Sequence, residues 1–371
     1  MPDYIKSYSI NINGKTVEFI IKADDISNLK LGNVRVATIK WLISQHPNNP
    51  HIRMISAYLE NKIREFLEYL TEITVKIFIS IAKKYSQFII SEKIQITIEY
   101  SNKVPTAVAA YDPTQSDIDS PYFVISPPNL ASEMLKYENR DMLYEALFHE
   151  FVHHLDREKI VQGILMGNRI YHHVQDPGAS IYLVSWEFLM LREEGVASFV
   201  QHLESDRRIW CFMKSFFKLF VNQMKAACKT LNINQLEIIH NQIVIDRTHH
   251  NMGAVMAAMI VLHDLFKNGK RFSVWIKTRG LIGAKDFNAD RIKDFYTNES
   301  FDLVFTDIEA DSIIIPVIKR LRSLSHIQFL KGYEEACRYF KVSPFINLKL
   351  YNYFKRKCWE NYKRFMESQK S

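Results

Sequence analysis

The sequence predicts an α+β fold, rich in helix, in which a small β-sheet precedes a central helix and helical extensions stand at both ends. Three observations carry this expectation. Short β-branched and aromatic runs bounded by turn residues lie between 93 and 126. The segment 141–156 has an apolar period near 3.6 and neither Gly nor Pro. Long amphipathic series lie before and after it.

Taken in order, Ser7–Ile21 alternates in hydrophobicity around Asn13-Gly14 and predicts a β-hairpin. Leu59, Ile63, Phe66, Leu70, Ile73, Ile77 and Ile81 recur every three or four residues and predict an amphipathic helix. Strands are expected at Lys93–Tyr100, Ala107–Tyr111 and Tyr122–Ser126, set off by Asn102, Pro105, Asp112-Pro113 and Pro127-Pro128. A helix over Asp141–Asp156 follows, with Asn139 and Asp141 supplying its cap and first-turn acid. Further helices are expected over Trp186–Phe199 and His250–Leu262, the latter with a small-residue stripe of Gly253, Ala254, Ala257 and Ala258. Residues 270–371 read as mostly helical, with Pro316 and Pro344 as breakers. No repeat or Pro/Ser-rich linker is present, and the expected divisions are an N-terminal hairpin and helical region at 1–92, a core at 93–269 and a helical region with a basic tail at 270–371.

The chemistry is concentrated in His149-Glu150-Phe151-Val152-His153. On a helix, residues four apart stack one turn above another, so both imidazoles can reach one metal ion with Glu150 beside it. Catalytic zinc usually takes three protein ligands and keeps a fourth position for water. The candidate third ligand is Glu194, because Ala197 and Ser198 share its face and allow close helix packing. Glu193, about 100° round the helix, is the alternative. Asp156 as a ligand would crowd all three donors onto barely two turns, so it reads instead as an outer partner of His153 or as a solvated helix end.

The sequence His149–His153 with Leu155-Asp156, then Glu194-Gly195-Val196-Ala197, resembles the gluzincin metallopeptidases of the zincin superfamily, whose third ligand commonly lies in an E-x-x-A helix after the HExxH helix. Strands before that helix fit the same order. The resemblance covers the middle of the chain and implies a zincin-like core at 93–269 that binds Zn2+ through His149, His153 and Glu194, with Glu150 as general base. It also implies a peptide or protein substrate laid as an added strand on the sheet edge, for which Ala107–Tyr111 is the candidate. Glu193 stands where the best-known members have Asn before the ligand. A rival set takes His172 or His173 as third ligand, as in the SprT-like proteases that act on DNA–protein crosslinks. A donor for the developing oxyanion is also needed, and His250 is the candidate, with Tyr171 and Tyr182 as alternatives. The bland reading is that His249 and His250 cap or flank a buried helix. A non-catalytic binding or regulatory protein on the same scaffold is the alternative to an enzyme, and the intact Glu150 favours the enzyme.

Composition narrows the setting. With 371 residues and 47% hydrophobic content, the chain can bury a sizeable core. Cys211, Cys228, Cys337 and Cys358 show no clustered spacing, so neither a disulfide framework nor a zinc knuckle is implied, and a reducing, cytoplasmic compartment is expected. The first residues lack a signal-peptide layout, and no apolar run approaches a span of about 20 residues. The net charge of +7 is concentrated in Lys349–Phe365, where bases alternate with aromatics. That tail reads as an amphipathic helix, and it leaves nucleic acid or a membrane surface open as a partner without any nucleic-acid motif to support one.

Overall fold

The computed structural model describes residues 4–23, 30–31, 34–35, 50–89, 91–101, 107–127, 129–130, 142–172, 179–209, 214–228, 247–268, 273–278, 281–286, 289–297, 301–305 and 307–369. The chain is helix-rich, with small sheets, and divides into two compact units, Met1–Arg157 and Glu158–Ser371.

In the first unit, β1 (Tyr4–Ile12) and β2 (Lys15–Ala23) pair antiparallel across Asn13 and Gly14. Both turn residues have positive φ, 52° and 82°, the backbone that Asn and Gly adopt at least cost and that a two-residue hairpin requires. β5 (Lys93–Tyr100) runs parallel to β2, and β7 (Tyr122–Ile125) runs parallel to β5. β6 (Ala109–Tyr111) closes the sheet antiparallel to β7, so the order β1-β2-β5-β7-β6 leaves β6 on an edge. A two-residue pairing joins β3 (Lys30–Leu31) to β4 (Val34–Arg35).

Alternation buries Val17, Phe19 and Ile21 of β2 with Ile94, Ile96 and Ile98 of β5. Helix α1 (Pro50–Lys84) covers that face, its Phe78 ring 6.3 Å from Phe19 and 5.0 Å from Phe123. The buried stripe of α1 includes Leu67, Leu70, Thr71, Thr74, Phe78 and Ile81, whereas Phe66, expected inside, is exposed. The two threonines turn the stripe. Thr71 Oγ1 lies 3.1 Å from the hydroxyls of both Tyr4 and Tyr100, so a polar residue becomes core once its hydroxyl is satisfied. Helix α2 (Met142–Leu155) packs on β6 and α1, with the Phe148 ring 5.0 Å from Tyr85.

The second unit is mainly helical. It contains α3 (Arg157–His172, all but its first residue), α4 (Ala179–Ser205), α5 (Lys214–Ala227) and α6 (Arg247–Lys267). Towards the C-terminus follow α7 (Ala289–Thr297), α8 (Asp307–Arg322), α9 (His326–Tyr339) and α10 (Leu348–Ser368). Helices α4 and α6 form its centre, and both are buried on nearly every side, α4 with the charged Glu187, Arg192 and Glu193 among its buried residues. Among the described residues, no helix is long and apolar enough to cross a membrane.

The described residues of 270–371 are mostly helical, as expected, but a small sheet is added and the reading of Pro316 is corrected. Strands β9 (Ser273–Thr278), β10 (Leu281–Asp286) and β11 (Phe301–Phe305) join β8 (Arg208–Ile209) in an antiparallel sheet of order β10-β9-β11-β8. The run Val274-Trp-Ile followed by Arg279-Gly280 is a hairpin signal that the helical reading passed over. Pro316 does not break a helix; it lies inside α8 on the exposed face, where a ring in place of an N–H is tolerated. Pro344 lies in the connection between α9 and α10. Cys228 and Cys358, 130 residues apart, are buried free thiols whose Sγ atoms meet at 3.2 Å.

Candidate metal centre

Helix α2 turns His149 and His153 to the same side, as four-residue spacing dictates, and their ring centroids stand 4.7 Å apart. Both are buried, and their Nε2 atoms are 3.0 Å apart. Two nitrogens at tetrahedral angles on one zinc ion, with bonds of about 2.05 Å, would stand about 3.3 Å apart. The pair is therefore spaced close to one edge of such a tetrahedron.

Glu150 faces the sheet edge, where its Oε2 accepts the backbone N–H of Tyr111 at 2.7 Å. The register explains why that N–H is available. Asp112 N–H donates to Tyr122 and Ser126 N–H to Val108, so Ala110 turns its backbone groups toward β7 and Tyr111 turns its own outward. The Tyr111 side chain is anchored as well, its hydroxyl 3.3 Å from His154 Nδ1 and its ring 5.7 Å from Phe123. Burial raises the Tyr111 phenol pKa, with Ser116 and Arg157 pulling it partly back, and the protonated hydroxyl can donate to His154. Asp156 is buried at the helix end, so the solvated helix end is not what forms there.

In the second unit, α4 and α6 cross with their backbones in contact. A Cβ built on Gly195 would lie 2.3 Å from Gly253 Cα, and one on Gly253 would lie 2.1 Å from the Leu191 carbonyl oxygen. Only glycine fits at such a crossing. Ala197 and Ser198, expected to allow this approach, are buried, but the contact itself is made by Gly195. Gly195 and Gly253 bring two carboxylate–imidazole pairs together. Glu194 Oε2 lies 3.0 Å from His250 Nε2, and Glu187 Oε2 lies 2.8 Å from His249 Nε2, seven residues earlier on α4. His249 is thus a buried, bonded histidine. Glu187 escaped the sequence reading, although its spacing of seven from Glu194 puts both on one face of α4.

Glu193 points elsewhere. Its Oε1 accepts from Arg192 Nη1 at 2.5 Å, and both side chains are buried. Arg192 Nη2 also donates to the Leu321 carbonyl at 2.7 Å, adding a second donor to an acceptor that the Leu324 N–H already meets in the last turn of α8. Removing one member of a buried ion pair strands the other charge, which typically costs about 3–5 kcal/mol. Arg192→Ala is expected to lose stability on that scale in urea denaturation, and a loss under about 1 kcal/mol would show that the pair is hydrated rather than dry.

Of the three residues expected as ligands, His149 and His153 stand together on α2 in the first unit, and Glu194 stands on α4 in the second. Tyr182 is exposed on α4. The side chains of Tyr171, His172 and His173, and Cys211 altogether, lie outside the described residues. Comparison of the chain with protein-family models, with curated proteins and with solved structures found no match in any of the three.

Proposed function

We propose that the protein is a metal-dependent hydrolase of peptide bonds, with Zn2+ held by His149, His153 and Glu194. The observation that carries this is the His149–His153 pair on α2, Nε2 atoms 3.0 Å apart, with Glu150 beside it fixed against an edge strand. Two imidazoles and one carboxylate form a donor set suited to zinc. When bound, the ion supplies a Lewis acid that acidifies water and polarises a carbonyl.

The residues of the chain supply the remainder. β6 lies at the sheet edge with its Tyr111 N–H held by Glu150, and an extended substrate can add beside it through the remaining outward backbone groups, placing the scissile carbonyl near Glu150. Glu150 removes a proton from the attacking water and returns it to the departing amine. Its hydrogen bond to Tyr111 N–H ties the base to the strand that orients the substrate. His250, expected from sequence to stabilise the oxyanion, stands against Glu194 and so has the orienting of that carboxylate as its first role. To donate to a substrate oxygen it would have to turn from Glu194.

Metal analysis of the purified protein tests the reading. One zinc per chain is expected, with affinity falling in Glu194→Ala by more than the 10–100-fold typical of losing an outer partner, and by that smaller factor in His250→Ala. Cleavage of an unfolded protein substrate should follow metal content. Zinc bound equally well by Glu194→Ala would remove Glu194 from the ligand set, and a zinc-free, inactive protein would leave the fold as a binding scaffold.

A further inference from the structure

We propose that the outer face of α10 is a docking surface for an anionic lipid bilayer, independently of the hydrolase reading. Helix α10 has 21 residues, about 31 Å of length, and carries six basic residues against two acidic ones, a net +4 of the chain's +7. Its orientation is fixed from the inside, since Tyr351, Phe354 and Cys358 are buried in the second unit. Away from that stripe run two adjacent rows with a spacing of seven, the first opposite it and the second on its flank. Lys349, Arg356 and Lys363 form the first and are all exposed. Trp359 and Met366, 45% and 40% exposed, form the second.

Basic residues beside a row of exposed apolar ones suit the bilayer interface, where lysine and arginine reach headgroups while tryptophan and methionine enter the acyl boundary. The same rows could be imagined on a nucleic acid, but the ring geometry favours lipid. Lys363 Nζ sits over the Trp359 ring, 5.5 Å from its centroid, and Lys357 Nζ sits 6.0 Å from that of Tyr353. A ring face covered by an ammonium group is not offered to a stacking base. At an interface the ring needs only its edge immersed, and the ammonium remains among headgroups. Glu360 is neutralised locally, 2.8 Å from Lys357 and 3.6 Å from Arg356, and the row Lys349, Arg356 and Lys363 continues past it.

The test is sedimentation of the full chain with vesicles of phosphatidylcholine alone and of phosphatidylcholine containing about one third phosphatidylserine, at low and high salt. Binding is expected to the anionic vesicles alone and to weaken with salt. Each basic residue near the surface should contribute about fivefold, so Lys349→Gln/Arg356→Gln/Lys363→Gln should bind about 100-fold more weakly. Trp359→Ala/Met366→Ala should also lose affinity, about tenfold or more, while keeping the salt dependence. Unchanged circular dichroism in both variants shows that these exposed substitutions leave the fold intact. No pelleting at low salt, equal pelleting with neutral vesicles, or wild-type binding by both variants would overturn the proposal. Tighter binding to a duplex or single-stranded oligonucleotide than to anionic vesicles would overturn it too, and would assign the face to nucleic acid.

Discussion

Gly253→Ala is expected to destabilise the second unit by about 3 kcal/mol or more, although alanine is the better helix former by about 1 kcal/mol. The new methyl carbon would lie 2.1 Å from the Leu191 carbonyl oxygen and 2.5 Å from Gly195 Cα. Those are backbone atoms, so no side-chain rotation relieves the overlap and α4 and α6 must separate. Gly195→Ala meets Gly253 backbone at 2.3 Å and should behave alike. Gly332→Ala is the control, since its Cβ would meet only Ile260 side-chain carbons at 3.4 Å and beyond. A shift there within about 1 kcal/mol is expected, against a fall in melting temperature of about 6–12 °C for either crossing glycine. Separation of the helices should also part Glu194 from His250, so Gly253→Ala should weaken metal binding without touching a ligand. Wild-type stability in Gly253→Ala would mean that the two helices do not cross backbone to backbone.

The same crossing shows where the sequence is informative and where it is silent. A helix over His149–His153 follows from apolar spacing and the absence of Gly and Pro, and observed α2 agrees with the expected span to one residue at either end. The strand at Lys93–Tyr100 and the Asn13-Gly14 turn are legible for equally local reasons, β-branched content and tolerance of positive φ. What a side chain meets across the fold is not local. Glu193 and Glu194 are chemically identical neighbours, and their different surroundings, Arg192 for one and His250 for the other, depend on α6 lying across α4. The small-residue stripe at 253–258 announced a close approach but did not identify its partner as Gly195. Tyr111 N–H as a donor to Glu150 could not be read at all, because every residue carries an N–H and only register decides which ones face outward. The β9–β11 sheet was legible in principle, from Val274-Trp-Ile and Phe301-Asp-Leu-Val-Phe, and was passed over because flanking helical patterns dominate that third of the chain.

Glu150→Gln is expected to leave metal content unchanged and to reduce turnover by about 10²–10⁴-fold, the range of a positioned general base. The amide is nearly isosteric, and its carbonyl oxygen can still accept from Tyr111 N–H, so strand, helix and donor set stay as they are. What is lost is the capacity to take a proton. Because that loss falls on the chemical step, kcat should drop while KM for a peptide substrate stays within a few-fold. Glu150→Asp separates position from basicity, since it keeps the carboxylate but withdraws it by one methylene from an N–H now 2.7 Å away. If placement by Tyr111 matters, Glu150→Asp should lose kcat nearly as Gln does, because a displacement of about 1 Å can cost 10²-fold. Turnover in Glu150→Gln at wild-type rates would move the base to another residue. Loss of metal from that variant would instead make Glu150 part of the donor set, and a four-donor site of His149, Glu150, His153 and Glu194 would be closed, with no position left for water.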